Sequence, residues 1–70
     1  MPTHGFDLVH LRTVRERLGL TQREVARRAR LSIDTVRLHE AGKRNANWHS
    51  LKKYAQTLGV RQDRLLAKAS

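Results

Sequence analysis

Three short stretches of this chain hold side chains whose types and spacing suit chemistry. They are Thr21-Gln22-Arg23-Glu24, then Ser32-Ile33-Asp34-Thr35 with Arg37 and Leu38 just beyond, then Lys43-Arg44-Asn45. The first two open on a hydroxyl residue suited to capping a helix, and Thr21 with Glu24 has the spacing of a capping box. None of the three sets a nucleophile beside a base, none is a glycine-rich phosphate loop, and the four histidines are scattered without ligand spacing. What they offer is hydrogen bonds and positive charge, presented from two helix starts and a loop. That is the chemistry of gripping a polyanion, so neither catalysis, nor a cofactor, metal or small-molecule ligand, is expected.

The overall charge agrees. Eleven Arg and four Lys stand against six acidic residues, a formal balance of +9, which draws phosphate backbones by Coulomb attraction and counterion release. Charge alone does not name the partner, since RNA and anionic membranes answer to it and arginine-rich surfaces are often merely solvated; together with two capped helices meeting at a tight turn, it makes DNA the leading candidate. No apolar run approaches the roughly 18 residues needed to cross a bilayer. Met1-Pro2-Thr3-His4-Gly5 also lacks the charged-then-apolar pattern of a signal peptide. A cytoplasmic protein without membrane contact is expected. With 70 residues and no cysteine, one domain must hold together by helix packing on a single core.

The elements that would position these residues follow from apolar periodicity and capping. Residues 1–6 read as a flexible arm and 7–70 as the folded domain. Asp7 is placed to cap a first helix running to about Leu18, with Leu8, Leu11, Val14 and Leu18 on one stripe and Arg15 inside that stripe. The second helix starts at Thr21 and turns Val25, Ala26 and Ala29 inward. Ala29-Arg30-Leu31 makes a turn, and Ser32 caps a third helix ending near Gly42. Asn45 is expected to cap a fourth helix with Trp48, Leu51, Tyr54, Ala55 and Leu58 on its inner stripe, stopped by Gly59. A fifth runs from Gln62 to about Lys68. The expected class is all-α, with five helices.

On a wheel of the third helix, Ile33, Asp34, Arg37 and Leu38 share one arc and Val36, His39 and Glu40 the other. Periodicity alone leaves open which side packs, because both carry apolar residues. Glu40 weighs in: it and Arg15 are each the one charge on an inner stripe, and an unpaired buried charge is costly. The two are expected to pair, the alternative being that both reach water separately.

The string Leu18-Gly19-Leu20-Thr21-Gln22, followed by Val25-Ala26, Leu31-Ser32, Val36, Glu40, Gly42-Lys43-Arg44-Asn45 and Leu58-Gly59-Val60, resembles the lambda-repressor-like helix-turn-helix family, also called the Cro and XRE type. The likeness spans about residues 8 to 66 without a gap. It implies a five-helix domain that binds duplex DNA as a dimer, with the third helix in the major groove and the second bridging the backbone. It makes Ile33, Asp34, Arg37 and Leu38 the base-reading candidates. Thr21, Gln22, Arg23, Ser32, Thr35, Lys43, Arg44 and Asn45 become backbone contacts, with Gln22 at a helix start that favours phosphate.

The residues at those positions depart from the family habit of Gln, Arg or Ser. Ile33 and Leu38 suit thymine methyls, Asp34 a cytosine amino group, and Arg37 either guanine or phosphate. Asp34 has an equal claim as a first-turn acid that steadies the helix dipole. Arg30, Ala46 and Arg61 replace a glycine, a proline and a serine usual in the family. His39 stands where an aliphatic or aromatic residue is usual and is expected to be buried and satisfied. Trp48 and Tyr54 read as core. Dimerisation, as the resemblance implies it, would run through residues such as Val60, Leu65 and Leu66, which serve equally well to complete a monomer core. A small prokaryotic or phage-encoded transcriptional repressor acting at the nucleoid is the leading expectation. A protein-docking module using Ile33 and Leu38, and a non-specific nucleic-acid binder, are the alternatives.

Overall fold

The computed structural model describes residues 5–66. Four α-helices, α1 (Leu11–Arg17), α2 (Gln22–Ala29), α3 (Ile33–Glu40) and α4 (Trp48–Leu58), are followed by one 3-10 turn, η1 (Gln62–Leu65). Among the described residues the count of α-helices is therefore four, not the expected five. Arg61 in the extended region offers η1 no side-chain cap, and the segment closes as a single tight turn. The proposed continuation to Lys68 lies outside the described residues.

The first helix is also shorter than expected. Its N-cap is His10, without a side-chain hydrogen bond, so Asp7 does not cap it. Asp7 instead accepts the Val9 amide through its backbone carbonyl, and Leu8 enters the core from this preceding turn. Leu18 falls past the helix end as its C-cap and lies exposed, although its angle on the wheel matches the inner stripe.

α2 and α3 begin as their sequences dictate. Thr21 Oγ1 accepts the Glu24 amide at 3.0 Å while Glu24 Oε1 accepts the Thr21 amide at 2.8 Å, a complete capping box. Those backbone and hydroxyl donors hold the Glu24 carboxyl below its ordinary pKa. Ser32 Oγ accepts the Thr35 amide at 3.1 Å and opens α3. Between the helices Arg30 takes the left-handed conformation, φ 59°, which lets the Leu31 amide reach the Ala26 carbonyl at 2.8 Å. This turn sets the angle between α2 and α3.

α4 is capped by Asn47, whose side chain accepts the Ser50 amide at 2.8 Å, not by Asn45. The reason lies one residue earlier. Ala46 is drawn fully into the core by an antiparallel bridge to Phe6, with amide-to-carbonyl distances of 2.7 and 2.9 Å. Asn47 is the first residue left to cap. Of the expected arm, Gly5 and Phe6 are thus in contact with the domain, and a Cβ on Gly5 would sit 2.7 Å from Asn45 Cβ. At the other end of α4, Gly59 supplies the left-handed C-cap at φ 68°.

The core gathers Leu8, Leu11, Val25, Ala26, Val36, Ala46, Leu51, Tyr54, Ala55, Leu58 and Leu65. α2 packs chiefly on α3 and α4, and η1 closes over α4. The small inner residues of α2 permit that approach. Trp48 is not core: it is 56% exposed, because its place on the α4 stripe lies in the first turn, beyond the reach of the facing helices.

Candidate nucleic-acid interface

The helix-turn-helix is held in place by one buried carboxylate. Glu40, at the end of α3, accepts Arg15 Nε at 2.6 Å and Arg15 Nη2 at 3.1 Å, a forked pair from α1. Its Oε1 also accepts the Gln22 side-chain amide at 3.0 Å from the first turn of α2. Arg15 Nη1 donates to the Leu20 carbonyl at 2.8 Å in the connection before α2. The carboxylate raises the Arg15 pKa above its ordinary value, burial opposing. One acid therefore fixes α1, α2 and α3 relative to one another, and with them the angle at which α3 is offered.

A second polar pair locks α3 onto α4. His39 Nδ1 and Tyr54 Oη lie 2.7 Å apart, with the rings edge to face at 5.5 Å. Burial, aided by the Arg44 charge, pushes the His39 pKa down, while burial pushes that of Tyr54 up. No buried side-chain N or O among the described residues lacks a partner. Val36, His39 and Glu40 are thus the packed side of α3, which resolves the ambiguity of the wheel.

The opposite arc faces solvent unevenly. Asp34 and Arg37 are exposed and pair with each other at 3.4 Å. Leu38 is half-buried, and Ile33 is half-buried and packed on the core, so only part of Ile33 is left to meet a ligand. Among the backbone candidates, Arg23, Lys43, Arg44 and Asn45 are exposed. Four others are already engaged in local structure. Thr21 Oγ1 serves the capping box as an acceptor, which leaves its own proton free. Ser32 and Thr35 share one hydroxyl proton across 2.7 Å, leaving the other to donate. Gln22 spends one of its two amide protons on Glu40.

Of the residues considered for dimerisation, Leu65 is 0% exposed and Val60 and Leu66 pack partly against the same core. Leu65 belongs to the monomer's interior and presents no surface to a second copy. One residue beside this interface escaped sequence reasoning. Arg12 of α1, exposed and paired with Glu16 at 3.2 Å, lines the rim of the cleft between α1, α2 and α3. No sequence signal distinguished it.

The fold and this arrangement define a helix-turn-helix domain. The family model described as "Helix-turn-helix domain" matches residues 9–68, and the chain belongs to that family. Among solved structures, the restriction-modification controller protein C.AhdI from Aeromonas hydrophila is similar at 31% identity and a TM-score of 0.80, over 86% of this chain and 97% of that one. The clp gene regulator ClgR from C. glutamicum is similar at 26% identity and a TM-score of 0.78, over 93% and 86% of the two chains. No curated protein matches the sequence. Among the described residues, no helix is long and apolar enough to cross a membrane.

Proposed function

We propose that this protein is a sequence-specific duplex-DNA-binding transcriptional regulator of the Cro and XRE type, acting as a small repressor or autoregulator by occupying an inverted-repeat operator as a dimer. The observation that carries the reading is the α2–α3 unit itself. Its outer arc exposes Asp34 and Arg37 beside half-buried Ile33 and Leu38, it is braced by the Arg15–Glu40–Gln22 node, and it continues into the exposed basic loop Lys43–Arg44. A +9 chain supplies the attraction for phosphate, and the arc supplies the selectivity. Similar structures carry the names of a controller and a gene regulator, which supports a role in gene control. Occupancy of a site, not catalysis, is the activity.

In this reading Asp34 and Leu38, with the exposed part of Ile33, meet base edges from the start and middle of α3. Arg23, Lys43 and Arg44 meet phosphates. The experiment is selection of bound duplexes from a random DNA pool at near-physiological salt. Enrichment of an inverted repeat with half-sites about one helical turn apart is the expected result. Enrichment of a lone half-site would remove the dimer from the reading, and no enrichment would overturn sequence specificity altogether.

A further inference from the structure

We propose that the cleft between α1, α2 and α3 seats one backbone phosphate of bound duplex DNA, and that Arg12 and Arg37 grip it from either side. The proposal rests on the DNA-binding reading above. The cleft is about 370 Å³ and is lined by Arg12, Arg15, Gln22, Arg37, Glu40 and Ala41. Its single acid, Glu40, has a side chain only 4% exposed and is already matched by Arg15 and Gln22. At the mouth stand Arg12 and Arg37, with Glu16 and Asp34 beside them.

The two rim arginines are available. Arg12 is 69% and Arg37 58% exposed at the side chain, and each is occupied only by an acid of its own helix, Glu16 at 3.2 Å and Asp34 at 3.4 Å. Exposed pairs of this kind contribute little to stability, so an incoming phosphate displaces them at little cost. Gln22 keeps one amide proton for the same oxygen atoms. A phosphate fits where a base does not. Stacked base edges lie within a groove and cannot enter a recess among three helices, whereas phosphates project from the duplex surface.

The assignment brings α1 into the DNA interface and makes Arg37 a positioning residue, leaving sequence readout to its neighbours on α3. It also explains why the ion pair beneath is buried: a displaced Glu40 would repel the phosphate.

The test compares affinity across a salt series for wild type, Arg12→Gln, Arg37→Gln and Arg64→Gln, the last an exposed arginine of η1 that does not line the cleft. Each protein is titrated with a duplex carrying the selected site and with a scrambled duplex. R12Q and R37Q are each expected to weaken both duplexes alike and to flatten the slope of log K against log salt, by about 0.9 for the two together because they share one phosphate, with R64Q leaving the slope intact. In R12Q, a neutral methylphosphonate at the seated position is expected to cost less than it costs wild type. Thermal melts, expected to be unchanged for these exposed positions, separate lost contacts from lost folding. A wild-type slope in R12Q would overturn the seat while leaving the DNA reading standing, as would an R37Q loss confined to the selected duplex. Wild type that binds neither duplex would overturn both.

Discussion

Arg15 and Glu40, 25 positions apart, meet through two hydrogen bonds of 2.6 and 3.1 Å inside the domain, and the second carboxylate oxygen is shared with Gln22 at 3.0 Å. Breaking a buried pair by removing one partner leaves an uncompensated charge, which costs about 3–5 kcal/mol. A domain of this size has about 5–15 kcal/mol in hand. Glu40→Gln is therefore expected to lose a large part of the stability in urea unfolding, whereas the joint replacement Arg15→Met with Glu40→Leu recovers most of it. A single variant costing under 1 kcal/mol would show that the pair is solvated.

Arg30 holds φ 59° without being glycine. The left-handed conformation costs an ordinary residue about 1–2 kcal/mol, partly offset in glycine by its larger entropy in the unfolded chain, about 0.5–1 kcal/mol. Arg30→Gly is expected to stabilise the domain by about 0.5–1 kcal/mol, seen as a Tm raised by a few degrees. Arg30→Val should do the reverse. Equal melting of all three proteins would show that the turn relaxes freely.

His39 ties stability to pH. Its folded-state pKa lies below the ordinary 6.5 because burial and Arg44 disfavour the imidazolium. The unfolded chain therefore binds a proton that the folded protein refuses. This contribution is whole above pH 6.5 and declines as pH falls from there through the lower folded value, at no more than about 1.4 kcal/mol per pH unit. Denaturant unfolding between pH 5 and 8 checks it. The double variant His39→Phe with Tyr54→Phe, which leaves no orphaned hydroxyl, should show a flatter profile than wild type, and parallel profiles would exclude the buried histidine as the source.

Asn47 and Asn45 are separated by role. Asn47 accepts the Ser50 amide, so Asn47→Ala is expected to cost about 1 kcal/mol of stability. Asn45→Ala, at an exposed loop position, should leave melting nearly unchanged and act, if anywhere, on DNA affinity. A reversal of the two effects would refute the assigned cap.

How much of this was legible varies with how local the cause is. The Thr21–Glu24 box, the Ser32 cap and the inward Val25, Ala26 and Ala29 are written within a few residues, and the structure shows them so. The meeting of Arg15 with Glu40 followed from a rule about charges on inner faces. Asn47 as the cap did not, since two asparagines compete at that point and the choice is made by Phe6, forty residues upstream, bridging to Ala46. Trp48 and Leu18 mislead for a common reason: a helical stripe keeps its angle beyond the point where the core ends. Whether an exposed arginine such as Arg12 borders a cleft depends on how three helices meet, which no local pattern records.

The exposure of Trp48 has a practical consequence for spectroscopy. It is the sole tryptophan of the chain, and its indole is solvated in the native state, so its emission is poorly placed to report unfolding and a flat fluorescence trace would be no sign of an intact protein. Sitting three residues after Asn45, it is instead a natural optical probe of whatever approaches the Lys43–Asn45 loop, and ligand titrations can be read from it without a label.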